Sequence, residues 1–308
     1  MKNKSFFLTS TDNSQIYCQK WIPESGAVKA VVQIAHGMAE HIERYTEFAE
    51  ELTKAGLAVY GNDHRGHGKT AGTLDRVGFF SDDNGFNLVV EDMKTLTETI
   101  NREYPEHSIV LLGHSMGSLL ARHYIYRYEN RIKCAIFSGL VSDPGILGGV
   151  GLFIANLVCA IKGKRSKSPL LDTLSFGQFN ASFKPNRTKF DWLSRDPERV
   201  DLYINDPFCG TIFSAGFFKD LLTGLKEIKQ IENSGRLPLD IPIYMFSGDK
   251  DPVGDNTKGV QKIHDLYKKA GVKDLTLKFY PDGRHEMLNE INRDEVYRDI
   301  IQWIESKL

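Results

Sequence analysis

Short apolar runs alternate along the chain with longer segments in which apolar residues recur every three or four positions. The short runs predict buried strands at 29–35, 57–60, 109–112, 134–137, 241–246 and 275–280. The spaced segments predict helices over 43–55, 86–103, 118–128, 257–270 and 293–306. The polar residues 11–14 predict an antiparallel hairpin over 5–9 and 15–22. Strands that alternate with helices predict an α/β fold, in which a mostly parallel central sheet carries helices on both faces.

The alternation stops near Pro144 and resumes near Leu239. A structureless loop of that length is uncommon in a compact domain, so we predict a mainly helical cap inserted into the core. The predicted parts are a first core segment at 1–143, the cap at 144–239 and a second core segment at 240–308.

The most apolar stretch of the sequence lies in the predicted cap, at 145–161, and a basic segment, 162–167, follows it. A helix that is apolar on nearly every side is normally buried, which favours simple packing on the core. Alternatively, one face lines an acyl pocket or lies on a membrane surface, where the basic residues meet anionic headgroups. Both interpretations stay open. Further along the cap, phenylalanines at 176, 179, 183, 190, 208, 213, 217 and 218 favour a lipid-like or aromatic ester as substrate.

Charge and cysteine spacing exclude several classes of protein. The chain of 308 residues has 39 lysines and arginines against 40 aspartates and glutamates, which does not indicate nucleic-acid binding. Cys18, Cys134, Cys159 and Cys209 are widely spaced, which predicts neither zinc ligation nor a dense disulfide framework. No segment resembles a transmembrane helix, and the first residues lack the apolar run of a secretory signal. We therefore predict a cytoplasmic protein, and the sequence predicts no particular oligomeric state.

The pentapeptide Gly-His-Ser-Met-Gly at 113–117 directly follows the strand predicted at 109–112. A serine at a sharp turn from strand to helix needs small neighbours, and glycines two positions before and after it leave that room. The pattern is a nucleophile elbow, and it predicts Ser115 as the nucleophile of a serine hydrolase.

A serine nucleophile needs a histidine base, and in hydrolases with this elbow the histidine comes last in the chain. Three histidines follow Ser115. His123 falls within the helix after the elbow, and His264 falls in a charged helix. His285 lies in a loop directly after a strand, where a catalytic base is needed, so we predict His285 as the base.

The carboxylate that orients the base is expected in the loop after the preceding strand, where Asp249 and Asp251 both stand. The later position leaves a short loop that can reach the histidine, and Pro252 stiffens that loop. We predict Asp251 as the acid and Asp249 as a turn residue.

Two backbone N–H groups must bind the oxyanion of the tetrahedral intermediate. One belongs to the residue after the nucleophile, Met116, and the loop after the 29–35 strand offers the N–H of Met38. We predict that His36 shapes this loop through hydrogen bonds.

Asp63, His64 and His67 lie close together and could be considered as metal ligands. Three ligands in one glycine-rich loop rarely reach the same ion, so we predict a hydrogen-bonded loop behind the active site.

Five segments together resemble motifs of the monoacylglycerol lipases and bacterial lysophospholipases, which have the α/β-hydrolase fold. Residues 36–45 resemble HG-x-x-EH-x-x-RY, residues 63–70 resemble DH-x-GHG-x-S, and residues 113–117 match the elbow. Residues 248–251 align with the acid motif G-x-x-D, and residues 283–285 align with the catalytic histidine. The resemblance covers the core and not the cap.

Two departures from the family pattern are visible. Thr70 stands where serine is usual, and Ser118 stands where a second glycine often follows the elbow. Neither belongs to the predicted triad.

The resemblance implies a serine hydrolase that cleaves a monoacylglycerol, a lysophospholipid or a related single-chain ester through an acyl-enzyme. No metal or organic cofactor is implied. A prolyl-type aminopeptidase or an acyltransferase on the same scaffold is the alternative enzyme. The alternative from another class is a non-catalytic protein of this fold that binds a small ligand.

Overall fold

One eight-stranded sheet organises the computed structural model, which describes residues 1–24 and 26–308. Its order is β1-β2-β4-β3-β5-β6-β7-β8. The first two strands pair antiparallel and β2 meets β4 antiparallel, whereas the pairs among β3 to β8 are parallel. The strands are β1 (Lys2–Thr9), β2 (Gln15–Ile22), β3 (Ala30–Ala35), β4 (Leu57–Asn62), β5 (Ile109–His114), β6 (Cys134–Ser138), β7 (Ile243–Gly248) and β8 (Leu275–Tyr280). This arrangement confirms the predicted α/β fold.

Helices connect the parallel strands. They are α1 (Thr46–Lys54), α2 (Gly68–Ala71), α3 (Gly85–Glu103), α4 (Met116–Tyr128), α5 (Ile146–Lys162), α6 (Pro169–Phe176), α7 (Pro197–Asn205), α8 (Ala215–Asn233), α9 (Lys258–Ala270) and α10 (Arg293–Glu305). The helix predicted over 43–55 divides into a 3-10 turn at Ile42–Tyr45 and α1.

The two faces of the sheet are covered by separate apolar clusters. Successive residues of a strand point to opposite faces, so Leu111 of β5 joins one cluster and Leu112 joins the other. The first cluster includes residues of α3, α4 and α9, and the second includes residues of α1 and α10. Burial on both faces explains why the central strands are short and continuously apolar.

Between β6 and β7 the chain forms α5 to α8 instead of one crossover helix. Helix α8 contacts α3 and α4 of the core, and α5 packs on α8. The limits of a cap at 144 and 239 stay a prediction. Among the described residues, we find no helix that combines the length and the hydropathy needed to cross a bilayer.

The helix α5 packs on the core through one face, so the first interpretation holds for that face, and the alternative for the other face stays a prediction. Its inner face carries Ile154, Val158 and Cys159, which contact the core, but Ala155 alone among the α5 residues is buried. The outer face exposes apolar side chains at helical spacing, namely Ile146 (87%), Val150 (48%), Phe153 (70%), Leu157 (50%) and Ile161 (71%). Both faces of the helix are apolar, and within the part of the chain that the structure describes we find core contacts for the inner face only.

Candidate active site

Ser115 lies at the junction of β5 and α4 with φ 53° and ψ −119°. This left-handed conformation is rare for residues other than glycine and costs about 1–3 kcal/mol. The glycines of the pentapeptide permit it. A Cβ on Gly113 would lie 2.2 Å from the carbonyl oxygen of Gly117, and a Cβ on Gly117 would lie 2.0 Å from that of Ala35. Helix and sheet therefore approach closely enough to hold the strained turn.

His285 and Asp251 form a buried pair. The Nδ1 atom of His285 lies 3.0 Å from both carboxylate oxygens of Asp251. The hydroxyl of Ser247 and the backbone N–H of Val253 donate to the same carboxylate, at 3.0 and 2.9 Å. The carboxylate is thus fixed by three donors, and it favours the tautomer of His285 that carries its proton on Nδ1.

Burial lowers the pKa of His285, but the charge and hydrogen bond of Asp251 outweigh burial and raise the pKa above its ordinary value. The neighbouring His114 has no such carboxylate. Burial, with the charge of His285, lowers the pKa of His114 to about 4, so this imidazole stays neutral at physiological pH.

The strand ends bring Ser115 and His285 to the same edge of the sheet. The backbone N–H of Ser115 donates to the carbonyl of Ser138 at the end of β6 (2.9 Å), and the ring of His114 lies 4.8 Å from the ring of His285. A Cβ on Gly139 would lie 3.0 Å from both imidazoles. Glycine at this position leaves the room that the histidine pair needs.

The loop after β3 faces the serine. A Cβ on Gly37 would lie 3.3 Å from Cβ of Ser115. Among the described residues, we find no acceptor for the backbone N–H of Met38 or of Met116, so both groups are available to a ligand. Their role in an oxyanion hole stays a prediction. His36 forms hydrogen bonds that shape the loop: its Nδ1 donates to the carbonyl of Gly37 at 2.7 Å, and its Nε2 accepts the N–H of His64 in the loop after β4 at 2.9 Å.

A buried ionic cluster connects this loop to the histidine loop, and sequence reasoning from the residues missed it. Arg44 donates to both oxygens of Glu286 (2.8 and 2.7 Å) and to Glu40 (2.6 Å). Glu40 also accepts the backbone N–H of Gly37 at 2.5 Å. Burial favours the protonated form of Glu286, but Arg44 outweighs burial and lowers its pKa. Glu40 and Arg44 belong to the segment 36–45 that carries the family resemblance, and that was the available signal.

The segment between β6 and β7 covers the imidazole with aromatic rings. The ring of Trp192 lies 5.2 Å from that of His285, and Phe179 lies 5.1 Å from Trp192. The carbonyl of Trp192 accepts the backbone N–H of His285 at 3.3 Å. Arg284 donates to the carbonyls of Asp191 and Ser194. Trp192 was missed because nothing in its local sequence distinguishes it.

The other residues that the sequence offered as base, acid or metal ligand make contacts of a structural kind. His123 is buried, with Nε2 3.3 Å from Glu227, and His264 lies beside Asp265. Asp249 donates its backbone N–H to Tyr280, as a turn residue does. Asp63 accepts the backbone N–H groups of Ile42 and Lys69, which describes a hydrogen-bonded loop.

Comparisons with known proteins match nearly the whole chain. The family model Hydrolase_4, described as serine aminopeptidase, S33, matches residues 26–292. A monoacylglycerol lipase of Mycolicibacterium smegmatis is 29% identical, over 94% of this chain and 92% of that protein. A monoglyceride lipase of Rattus norvegicus is 28% identical, over 98% of this chain and 90% of that protein.

Among solved structures, a thermostable carboxyl esterase from Bacillus coagulans, in complex with glycerol, superimposes with a TM-score of 0.91. It is 27% identical, and 99% of each chain is covered. The similarity therefore includes the segment between β6 and β7 as well as the sheet.

Proposed function

Because the chain belongs to the Hydrolase_4 family and is a serine carboxylic-ester hydrolase of the α/β-hydrolase fold, we propose that it cleaves monoacylglycerols or closely related single-chain esters, with Ser115, His285 and Asp251 as its triad. The observation that carries the triad is the strained Ser115, which follows His114 in the chain, while the ring of His114 lies 4.8 Å from that of His285 in the buried His285–Asp251 pair. The names of the similar lipases and the aromatic side chains over His285 support the substrate class.

The proposed reaction has two steps. Oγ of Ser115 attacks the ester carbonyl while Nε2 of His285 takes the hydroxyl proton, and the N–H groups of Met38 and Met116 bind the oxyanion. The intermediate collapses when the leaving alcohol receives that proton from His285. Water, activated by the same imidazole, then attacks the acyl-enzyme and releases the fatty acid. Asp251 stabilises the imidazolium in both steps.

An aminopeptidase of the same family would need a free carboxylate for the amine of its substrate. Two carboxylates near the triad, Glu40 and Glu286, are instead paired with Arg44. A carboxylate paired with a guanidinium is a poor receptor for an amine. The surroundings of the site thus favour an apolar ester over a peptide.

The test is a substrate panel with p-nitrophenyl esters of rising chain length, monoacylglycerols, lysophosphatidylcholine and prolyl amides. We expect kcat/KM to be highest for monoacylglycerols and turnover to be lost in Ser115→Ala, whereas Ser234→Ala, at an exposed serine beyond α8, serves as the matched control that keeps it. A fluorophosphonate probe should label the wild type and Ser234→Ala but not Ser115→Ala. Turnover of prolyl amides alone would contradict the substrate class but not the triad, and an unlabelled wild type would contradict both.

The proposal extends to a lipid surface. The exposed apolar stripe of α5 ends at Lys162. Lys164 and Arg165 follow it, in exposed ion pairs with Asp83 and Asp82 at 2.8 and 2.9 Å, which are weak enough for an anionic headgroup to replace. Apolar side chains that insert below the headgroups and basic residues that meet anionic lipids are typical of helices that lie on a membrane. We propose that this face docks the enzyme on the cytoplasmic side of an anionic membrane, from which it takes single-chain esters.

A further inference from the structure

Three side chains with metal-binding atoms meet beside the loop that carries Met38: His41, Asp206 and Cys209. Nε2 of His41 lies 2.8 Å from Oδ2 of Asp206, and one ligand atom from each residue lies within 4.8 Å of the others. His41 and Asp206 are 165 residues apart in the chain. The spacing of the cysteines therefore gave no reason to expect a metal.

We propose that His41, Asp206 and Cys209 form a binding site for Zn²⁺. An imidazole nitrogen, a carboxylate oxygen and a thiolate sulfur are the three ligand types that zinc accepts in proteins. Tetrahedral zinc, with bonds of about 2.0–2.3 Å, places its ligand atoms about 3.3–3.8 Å apart. The three atoms already lie within 4.8 Å of one another, so a zinc ion would have to draw them together by little more than about 1 Å, with water as its fourth ligand.

The backbone around the cluster is already ordered. Oδ1 of Asp206 accepts the N–H of Phe208 at 2.9 Å, and the N–H of Cys209 donates to the carbonyl of Asp206 at 3.0 Å. The N–H of Gly210 donates to the carbonyl of Ala39, two residues before His41, at 3.1 Å. The loops that carry the ligands are therefore joined before any ion binds, which lowers the entropy cost of forming the site.

The cluster has a path to solvent. The side chains of His41 and Asp206 are 11% and 29% exposed, so an ion can enter from solvent.

Binding is a ligand exchange without oxidation or reduction. Zn²⁺ loses bound waters and forms bonds to Sγ of Cys209, Nε2 of His41 and Oδ2 of Asp206. The thiol proton leaves to solvent. The proton on Nε2 of His41, which donates to Asp206 before the ion binds, is also lost from that atom by exchange with solvent, and the zinc-bound ring carries its proton on Nδ1. The hydrogen bond between His41 and Asp206 is replaced by the two bonds to zinc.

The test uses the full-length protein, freed of metal with a chelator and kept reduced, and Co²⁺ as the probe. We expect a near-ultraviolet thiolate-to-cobalt charge-transfer band and visible bands of tetrahedral Co²⁺, both displaced by Zn²⁺. Cys209→Ser should abolish the charge-transfer band, whereas Cys159→Ser, the matched control, should keep it. His41→Gln and Asp206→Asn should weaken Co²⁺ binding by at least about 100-fold, more than the 10- to 100-fold loss that a partner behind a ligand causes.

A second measurement protects the test against misfolding of Cys209→Ser. Zn²⁺ should raise the unfolding temperature of the wild type and of Cys159→Ser by mass action, but not that of His41→Gln. A wild type without a charge-transfer band at excess Co²⁺, or a band that persists in Cys209→Ser, would overturn the proposal. Both readouts are independent of ester hydrolysis, so failure of the proposed substrate would not imitate either result.

Discussion

At the scale of single residues, the site separates two requirements between Ser115 and His285. The proposed nucleophile Ser115 must present its hydroxyl to a substrate, and it stands in a strained turn that the glycines two positions before and after it accommodate. His285 must be neutral before the reaction and take up a second proton only during it. Burial lowers the pKa of His285, whereas Asp251 raises it. The net effect is a raised pKa, which stabilises the charged imidazolium that the proposed mechanism forms in each step.

The raised pKa of His285 predicts the pH dependence of hydrolysis. The base must be neutral to accept the serine proton, so kcat/KM falls as the pH drops through the His285 pKa. We expect the midpoint of this acid limb above the ordinary histidine value of about 6.5. Asp251→Asn should move the midpoint to lower pH and reduce kcat by about 10⁴-fold, because the imidazolium loses its carboxylate. Rates of p-nitrophenyl butyrate hydrolysis across pH measure both effects.

The matched control is Asp249→Asn in the same loop, which removes a carboxylate without touching the imidazole. It should leave the midpoint near that of the wild type. An Asp251→Asn enzyme with the wild-type midpoint would rule out Asp251 as the partner of the base.

The contact between His285 and Asp251 could be predicted because each residue stands in a short recognisable motif at a strand end, as Ser115 also does, and the catalytic roles of the three stay a prediction. Trp192 and Arg44 could not be assigned contacts from the sequence alone. Arg44 meets Glu286 across 242 positions, and only the order of the strands brings them together. An ion pair between residues so far apart in the chain produces no local sequence pattern that could predict it.

At the scale of elements, two loops at the same sheet edge are joined through one guanidinium. The loop after β3 holds Glu40, the loop after β8 holds Glu286, and Arg44 bridges them in a buried position. Glu40 in turn accepts the N–H of Gly37, which faces Ser115. The cluster therefore couples the placement of the predicted oxyanion donor to that of the histidine loop.

Arg44→Met should be strongly destabilising because it leaves two buried carboxylates without a counter-ion. We expect a loss of about 3–5 kcal/mol in the free energy of unfolding, measured by denaturant titration. Arg127→Met, which removes an exposed partner of Glu91, should cost less than about 1 kcal/mol. Equal losses in the two variants would show that the buried cluster adds nothing beyond a surface pair.

Strands and helices of the core were predictable because each buries a face with a clear period. The environment of α5 was not, since its sequence is apolar on both faces and periodicity cannot tell a core neighbour from a lipid. Helix α8 covers the inner face, and tertiary packing alone decides which face that is.

At the scale of the whole molecule, one edge of the sheet is covered by the segment between β6 and β7, and that segment exposes an apolar stripe on α5. The triad candidates lie at the carboxyl ends of the parallel strands beneath the segment that contains α5. The stripe on α5 lies outside, with a basic end. An enzyme whose substrate is dissolved in a lipid bilayer must bind the bilayer surface. An exposed apolar stripe of this kind is suited to that binding.

Phe153→Glu combined with Leu157→Glu should therefore weaken binding to vesicles. Both side chains are at least half exposed, at 70% and 50%, so the change leaves the core intact and the unfolding temperature should stay at the wild-type value. Because two inserted apolar groups are lost, the partition coefficient for binding to vesicles should fall by at least about tenfold. Sedimentation with phosphatidylglycerol-containing vesicles measures this coefficient. Vesicles of phosphatidylcholine alone should bind the wild type less well, since the basic end then meets no anionic lipid.

The control is Phe7→Glu combined with Ile291→Glu, because it adds the same charge away from α5. These two side chains are exposed at 57% and 59%. If both double variants lose binding equally, general negative charge and not the α5 stripe determines the contact.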